Sequence, residues 1–299
     1  MLSKSQVELF DQQGFVAVKQ VIDPETLEQL RNGVDEIVEE SRHVAKSNEI
    51  FEVEPDHSPQ RPRLRRISHP VIKRPIFWQT AKSEAVLKCL AQLIGPDIRF
   101  HHSKVNMKVA DGGTDIGWHQ DGAFFPHTNF DLVGCGIALD DCTTANGCLL
   151  VIPGTHRLPV LNHRIDDEFV GRITSDEDQF DPNQATPVEL EAGDMSIHHA
   201  LVVHGSKQNL SSDPRRLLIF EYAAADALPL EPRPRTNKYD DRIVYGKPPT
   251  HARLAGQMRI PLRRATPADF SLFERQAAKV SAGPGSISWS GGLGPKNQD

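Results

Sequence analysis

From residue 98 onward the chain is a series of short apolar runs separated by turns, and this pattern limits its fold more than any other feature. The runs are rich in β-branched, aromatic and other apolar residues and cover 98–109, 132–139, 148–152, 195–203 and 216–222. Turn-forming residues separate them, for example at 111–113 and 145–147. Many short strands joined by turns are typical of a barrel or jelly roll. The sequence therefore predicts a mainly β fold with a jelly-roll core.

Three helices are predicted before this β-rich part. Residues 3–13 open with capping-box spacing between Ser3 and Gln6, and a short strand is expected just after them at 15–18. Residues 24–42 follow Asp23 and carry apolar residues at helical spacing, and residues 83–93 show the same pattern. We expect these helices to pack against the outside of the barrel.

Two polar stretches, 44–66 and 160–187, show no clear periodicity. The first is rich in Pro and Arg, and the second is a long acidic insert. Long loops held by a rigid scaffold commonly carry ligand contacts. We therefore expect both stretches to be loops that flank the mouth of a pocket.

Composition excludes several classes of protein. The 299 residues have a net charge of −6, which gives no general attraction for nucleic acid. No apolar run approaches the roughly 20 residues that span a bilayer. The four cysteines lack Cys-x-x-Cys spacing, so neither a zinc site nor a disulfide framework is indicated. A cytoplasmic protein with one domain over 1–280 and a flexible tail over 281–299 is expected. Within the domain we expect a helical part at 1–96, the β core at about 97–225 and a C-terminal wrap at 226–280.

A possible metal site begins at His119 and Asp121. Two residues apart on a β-strand, their side chains would project from one face. An imidazole and a carboxylate so placed can occupy two neighbouring positions on a divalent metal. A further His would complete the two-His, one-carboxylate facial triad of non-heme Fe(II) enzymes. His198, His199 and His204 are the candidates for that third ligand.

Arg215 is the candidate for binding a cosubstrate. Fe(II) oxygenases that use 2-oxoglutarate need a buried cation for its distal carboxylate, and the planar guanidinium binds carboxylates through two parallel hydrogen bonds. Arg215 lies eleven positions after His204, so a hairpin would bring it back near the metal. The hydroxyl of Ser206 could contact the same carboxylate.

Four segments together resemble the phytanoyl-CoA dioxygenase family of Fe(II)/2-oxoglutarate oxygenases, over roughly residues 5–225. They are His119-Gln120-Asp121, Asn146-Gly147-Cys148-Leu149, Ile152-Pro153-Gly154-Thr155-His156, and His204-Gly205-Ser206 with Arg215. The resemblance implies a double-stranded β-helix core, cupin-like in shape, with helices on its outside.

The same resemblance implies roles for individual residues. The iron ligands would be His119, Asp121 and His204, and an Arg215–Ser206 clamp would bind 2-oxoglutarate. Further contacts to 2-oxoglutarate would come, by position, from Lys104, Arg66, Gln120 and Ile137. At two of these positions the chain departs from the family pattern, with Arg66 in place of Lys and Ile137 in place of Trp.

The implied activity is oxidation of a C–H bond in a small-molecule substrate, using O₂ and releasing succinate and CO₂. Candidate residues of the substrate pocket are Phe124, Phe125 and His199. Because Asp121 holds the position where a halogenating relative needs room for chloride, hydroxylation is favoured over chlorination. Two alternatives stay open: a cupin-type metal enzyme that uses no 2-oxoglutarate, and a non-catalytic binding protein. The identity of the substrate and the oligomeric state are also open.

Overall fold

The computed structural model describes residues 1–261, apart from 111, 113, 167, 175–178, 232–236 and 257–258. The tail expected at 281–299 and the last part of the expected C-terminal wrap lie outside the described residues. Among those described, no helix combines the length and the apolar character needed to cross a bilayer.

Six α-helices occur in the described part of the chain, and the three long ones confirm the predicted helices. They are α1 Lys4–Gln13, α2 Pro24–Glu40, α3 Pro70–Lys73, α4 Pro75–Ala81, α5 Glu84–Ile94 and α6 Asp121–Phe124. The capping box of Ser3 and Gln6 is formed at the start of α1, and Gly14 ends the helix with φ at 82°. The Asp23 side chain accepts a hydrogen bond from the Thr26 backbone N–H and so starts α2.

Sixteen strands occur among the described residues. They are β1 Phe15–Val18, β2 Phe51–Val53, β3 Leu64–Ser68, β4 Ile98–Lys108, β5 Ile116–His119, β6 Leu132–Ala138, β7 Leu149–Val151, β8 Arg164–Ile165, β9 Glu168–Phe169, β10 Thr186–Val188, β11 Met195–His199, β12 His204–Ser206, β13 Arg215–Ala224, β14 Ile243–Tyr245, β15 His251–Arg253 and β16 Arg259–Pro261.

Two antiparallel sheets form the core. The larger has the order β1-β11-β6-β13-β4-β3-β2, with β14 also paired to β4, and the smaller has the order β10-β7-β12-β5. Apolar side chains from both sheets, including Val151, Leu217 and Ile219, share one buried cluster. This is the double-stranded β-helix that the resemblance implied.

The helices cover the outer face of the larger sheet. Leu30, Val34 and Ile37 of α2 are fully buried in the same cluster as Ile137 of β6 and Leu218 of β13. Fully burying a side chain of this size contributes about 1.5–3 kcal/mol. The helices therefore cover the outer face of this sheet, and its inner face is available for the site.

Three details of the expected layout were wrong. The stretch 44–66 is not all loop, because it contains β2 and the start of β3. The stretch 160–187 contains the β8–β9 hairpin and most of β10. The apolar run 195–203 is not one strand: β11 ends at His199, the chain turns, and β12 begins at His204 in the other sheet.

Candidate metal centre

Three side chains converge where the smaller sheet meets α6. His119 is the last residue of β5, His204 is the first residue of β12 directly opposite it, and Asp121 is the first residue of α6. One ligand atom from each of the three lies within 4.8 Å of the other two. The sequence predicted His119 and Asp121 on one face of a strand, but Asp121 lies beyond the end of β5. The change from strand to helix turns its carboxylate toward the imidazoles.

The hydrogen bonds of the two imidazoles leave one nitrogen of each free for a metal. Nδ1 of His119 lies 2.8 Å from the Gly117 carbonyl, and Nδ1 of His204 lies 2.9 Å from the Val202 carbonyl. A carbonyl can only accept, so Nδ1 carries the proton and Nε2 keeps its lone pair. Both Nε2 atoms point toward Asp121, at 3.9 and 3.7 Å from its carboxylate oxygens.

Burial also sets the charges that a metal needs. It lowers the pKa of His119 and brings that of His204 well below its ordinary value, which favours neutral imidazoles. Burial alone would raise the pKa of Asp121, but its interactions with His204 and Lys104 and a hydrogen bond from His198 hold it well below the usual range. Two neutral imidazoles and one carboxylate suit a divalent metal such as Fe(II).

The triad opens into a cavity that contains about 590 Å³ of space not filled by protein atoms. Its walls carry the three triad residues and most of the residues predicted to bind a cosubstrate. Besides the triad, the lining residues are Arg66, Lys104, Asn106, Ile116, Leu149, Ser196, His198, Gly205, Ser206, Arg215, Leu217, Ile219 and Glu221.

Arg215 is a buried guanidinium that faces this cavity. Its Nη2 donates to the Gly147 carbonyl at 2.9 Å, while Nε has no partner. No ion pair joins Arg215 to a carboxylate in the described part of the chain. Arg216 lies on the opposite face of β13 and pairs with Asp140 and Asp35, at 2.8 and 2.7 Å. A buried cation without an internal counterion suits an anionic ligand such as the distal carboxylate of 2-oxoglutarate.

Two other predicted contacts also lie on the cavity wall. Lys104 projects from β4 and its Nζ donates to Glu221 at 3.3 Å. Arg66 projects from β3 and donates to the Asn106 side chain at 3.1 Å and to Glu52 at 3.0 Å. Ser206 is buried in β12 on the same wall.

Gln120 and Ile137 are not brought to the cavity. The Gln120 amide is fully buried and already bonded, since it donates to the Leu201 and Pro159 carbonyls and accepts from the Leu161 backbone N–H. Ile137 lies on the helix-covered face of β6, in the same cluster as α2. The neighbouring Gly136 lies on the inner face, so the position assigned by resemblance is shifted by one residue along β6.

The three candidate residues of the substrate pocket lie in different places. Phe124 is exposed beside the triad, with its ring 5.9 Å from that of His119 and 4.9 Å from that of Phe169, but it is absent from the lining of the cavity. Phe125 packs against His101, 4.7 Å away, and is absent from the lining. His199 faces a separate cleft beside Phe10, where burial lowers its pKa to about 4.

His198 and Glu221 belong to the site more closely than the sequence indicated. The ring of His198 lies 3.1 Å from Asp121 Oδ2, so its Nε2–H can donate to this carboxylate. Glu221 is buried near it, and burial together with the charge of Asp121 raises the pKa of Glu221. Counting every second residue along β13 from Arg215 gives 217, 219 and 221, and this alternation was the signal that could have found Glu221.

Gly134 makes room for His198. A Cβ added at Gly134 would lie 2.5 Å from two atoms of the His198 ring. We expect Gly134→Ala to push His198 away from Asp121 and to lower the free energy of unfolding by about 1–3 kcal/mol, as overpacking of a core does. Denaturant unfolding would measure it. Gly117→Ala is the control, because its added methyl would meet its neighbour at an ordinary 3.5 Å; an equal loss in both variants would contradict the expectation.

Comparison with known proteins agrees with this geometry. The family model "Phytanoyl-CoA dioxygenase (PhyH)" matches residues 10–217. A probable alpha-ketoglutarate-dependent hypophosphite dioxygenase of Stutzerimonas stutzeri is 30% identical over 285 residues, which cover 93% of this chain and 98% of the relative. The ectoine dioxygenase of Halomonas elongata is 26% identical over 77% of this chain and 73% of its own length.

A solved structure shows the same fold. The crystal structure of EctD from S. alaskensis with 2-oxoglutarate and 5-hydroxyectoine superposes with a TM-score of 0.65 at 20% identity, covering 83% of this chain and 86% of EctD. The family match spans more than half of the chain and includes the three metal-binding candidates. The chain therefore belongs to the phytanoyl-CoA dioxygenase family and is an Fe(II)- and 2-oxoglutarate-dependent dioxygenase.

Proposed function

We propose that this enzyme inserts oxygen into a C–H or comparable bond of a compact, polar small molecule. In this assignment His119, Asp121 and His204 hold Fe(II), and Arg215 with Ser206 holds the distal carboxylate of 2-oxoglutarate. The observation that carries the assignment is that the triad and the unpaired Arg215 line one buried cavity. Family membership already decides against the two alternatives of a metal enzyme without 2-oxoglutarate and a non-catalytic binding protein.

Bound Fe(II) would activate O₂, which is the oxidant, while 2-oxoglutarate would supply two electrons and leave as succinate and CO₂. The chain contributes ligands and their orientation. The backbone carbonyls of Gly117 and Val202 fix both imidazoles with Nε2 toward the metal position. Phe124 packs beside His119, and Phe169 packs against Phe124.

The polar cavity wall supports a compact, hydrophilic substrate. The Lys104–Glu221 ion pair and the His198–Asp121 hydrogen bond place charged groups beside the metal position, and a long alkyl chain packed there would deprive them of further polar partners. Among the relatives, hypophosphite and ectoine are compact polar molecules. The family name points instead to an acyl-CoA. Since a fold and a cofactor do not determine a substrate, this class is a proposal that a substrate panel can decide.

We expect an oxygenated product and no chlorinated one. Asp121 supplies a tethered anionic ligand at the position where chloride would have to bind. A side chain already held in place has lost its translational freedom, which gives it an advantage over a free ion.

The test is succinate release from 2-oxoglutarate by the Fe(II)-loaded enzyme, with hypophosphite, ectoine, L-proline and phytanoyl-CoA added in turn. A compact polar compound should raise the rate of succinate release above the substrate-free rate, and its product should gain one oxygen by mass. Stimulation by phytanoyl-CoA alone would refute the substrate class. A chlorinated product in chloride buffer would refute the assigned role of Asp121, and the absence of succinate in every case would refute the dioxygenase assignment itself.

A further inference from the structure

Two buried cations lie opposite each other where β4 ends and β13 begins. Lys108 is the last residue of β4 and Arg215 is the first residue of β13, and the two are directly paired in the register. Lys108 is 2% exposed and Arg215 is 3% exposed. Like charges directly opposite each other on neighbouring strands destabilise a sheet, and burial increases the cost. A nearby negative charge would stabilise such a pair.

The protein supplies neutral oxygen atoms to both cations. Lys108 Nζ donates to the Thr114 carbonyl at 2.6 Å, and Arg215 Nη2 donates to the Gly147 carbonyl at 2.9 Å. No ion pair to a carboxylate is formed by either residue within the described ranges. Of the two acids whose charge acts on Lys108, Asp115 and Glu54, Glu54 is already paired with Arg65 at 2.8 Å. Carbonyl dipoles satisfy individual N–H groups but do not neutralise two buried charges.

Because Gly147 has no side chain, Lys108 and Arg215 can both pack against it. A Cβ at this position would lie 2.8 Å from Lys108 Cδ and 2.5 Å from the Lys207 carbonyl, and the φ of +81° disfavours other residues. The same glycine gives its carbonyl to Arg215. The Asn146-Gly147 turn therefore brings the Lys108 stem and the Arg215 guanidinium against one backbone segment.

The space around Lys108 adjoins the metal cavity. Lys108 and Arg215 both line a neighbouring cleft with about 660 Å³ of space not filled by protein atoms. This cleft and the metal cavity have four lining residues in common, Arg66, Asn106, Ile116 and Arg215. An anion bound to the cavity side of Arg215 would therefore lie close to both cations.

We propose that Lys108 is a second binding residue for 2-oxoglutarate, and that Lys108 and Arg215 together form a two-cation site for its distal carboxylate. The inference rests on the proposed assignment of Arg215 to the cosubstrate. It explains why two like charges are buried face to face, because the ligand supplies the missing counterion. It also assigns a role to the Asn146-Gly147 turn.

The proposal makes cosubstrate binding depend on pH. Burial and the charge of Arg215 lower the pKa of Lys108 to about 7, while Asp115 and Glu54 oppose this shift. The remaining charged groups that line the cleft are Glu52, Arg65 and Arg66. A bound carboxylate favours the charged amine and raises this pKa again. Binding of 2-oxoglutarate should then take up protons near pH 7, and the affinity should fall as the pH rises above 7.

The experiment is calorimetric titration of 2-oxoglutarate into the full-length, Fe(II)-loaded enzyme without O₂. Lys108→Met should weaken binding at least about tenfold, the effect of losing a hydrogen bond to a charged group. The probe 2-oxopentanoate has the same metal-binding end but no distal carboxylate, so its affinity should not change. Lys207→Met is the matched control, because it removes an exposed lysine from the adjoining strand end and should leave both affinities unchanged.

Wild-type protein gives a readout that does not depend on any variant folding. Titrations in two buffers with different ionisation enthalpies should show net proton uptake with 2-oxoglutarate and none with 2-oxopentanoate. Lys108→Arg, which keeps the charge, should retain more affinity than Lys108→Met and lose the pH dependence.

Several results would overturn the proposal. They are the absence of proton uptake in the wild type, an unchanged affinity in Lys108→Met, or an equal loss for both keto acids, which would indicate a structural effect. Arg215→Met separates this failure from that of the proposed function. If Arg215→Met weakens 2-oxoglutarate and Lys108→Met does not, only the role of Lys108 is wrong. If neither variant changes the affinity, the cosubstrate site itself is wrongly assigned.

Discussion

Replacing His204 with alanine is expected to abolish stable iron binding and, with it, the 2-oxoglutarate turnover of the enzyme. Loss of a residue that only orients a metal ligand typically costs 10–100-fold in metal affinity, so loss of a ligand itself should cost more than about 100-fold. The remaining pair, His119 and Asp121, cannot form a facial triad. Metal content after dialysis and the rate of succinate release would measure both effects.

His199→Ala is the matched control for this experiment. His199 lies five residues earlier in the same apolar run, but its ring contacts Phe10 and His156 in a separate cleft. The variant should keep its iron and its succinate release. Loss of iron in His199→Ala, with iron retained in His204→Ala, would show that the wrong histidine had been assigned to the metal.

The choice between these two histidines shows what the sequence alone could and could not decide. Six of the nine residues 195–203 are apolar, and 200–203 are continuously so, so periodicity gave no sign of the break between β11 and β12. In the fold the chain turns at 200–203, and those four residues are themselves buried. A buried turn has the same apolar composition as a buried strand, and only the context of Gly205 and Ser206, through the family resemblance, identified His204.

Alternation along a strand was reliable where the strand was long. β13 runs for ten residues, and its period of two correctly separated the inward Arg215 from the outward Arg216. Alternation failed for Asp121, because β5 ends at His119 and a helix follows. A four-residue strand has too few positions for its end to be visible in the pattern.

Assigning residue roles by family resemblance was least reliable where the role depends on which face of a strand the side chain lies on. Ile137 was assigned to the cosubstrate from its place in the family, but it faces α2 and its neighbour Gly136 faces inward. A shift of one residue moves a side chain to the opposite face of a sheet. Asn106, which lines the cavity and bonds Arg66, was not identified, because an isolated Asn in a strand carries no motif.

Replacing Arg215 with methionine is expected to raise the KM for 2-oxoglutarate at least about 30-fold. Removing one partner of a buried, hydrogen-bonded charge pair costs at least about 2 kcal/mol, which corresponds to that factor. Iron content should not change, because Arg215 touches none of the triad residues in the contacts described above. Initial rates over a range of 2-oxoglutarate concentrations would give the KM.

Arg216→Met tests whether the raised KM comes from losing the Arg215 side chain in the cavity or from any change at the start of β13. Arg216 bonds Asp140 through two nitrogens and also pairs with the largely exposed Asp35. Its loss should lower the free energy of unfolding by about 1 kcal/mol, since Asp35 is exposed and the pair with Asp140 is only partly buried, and should leave the KM for 2-oxoglutarate unchanged. The opposite faces of two consecutive strand residues thus predict opposite phenotypes: Arg215→Met impairs cosubstrate binding, and Arg216→Met impairs stability. A raised KM in Arg216→Met, with a normal KM in Arg215→Met, would mean that the inward face of β13 has been assigned to the wrong residue.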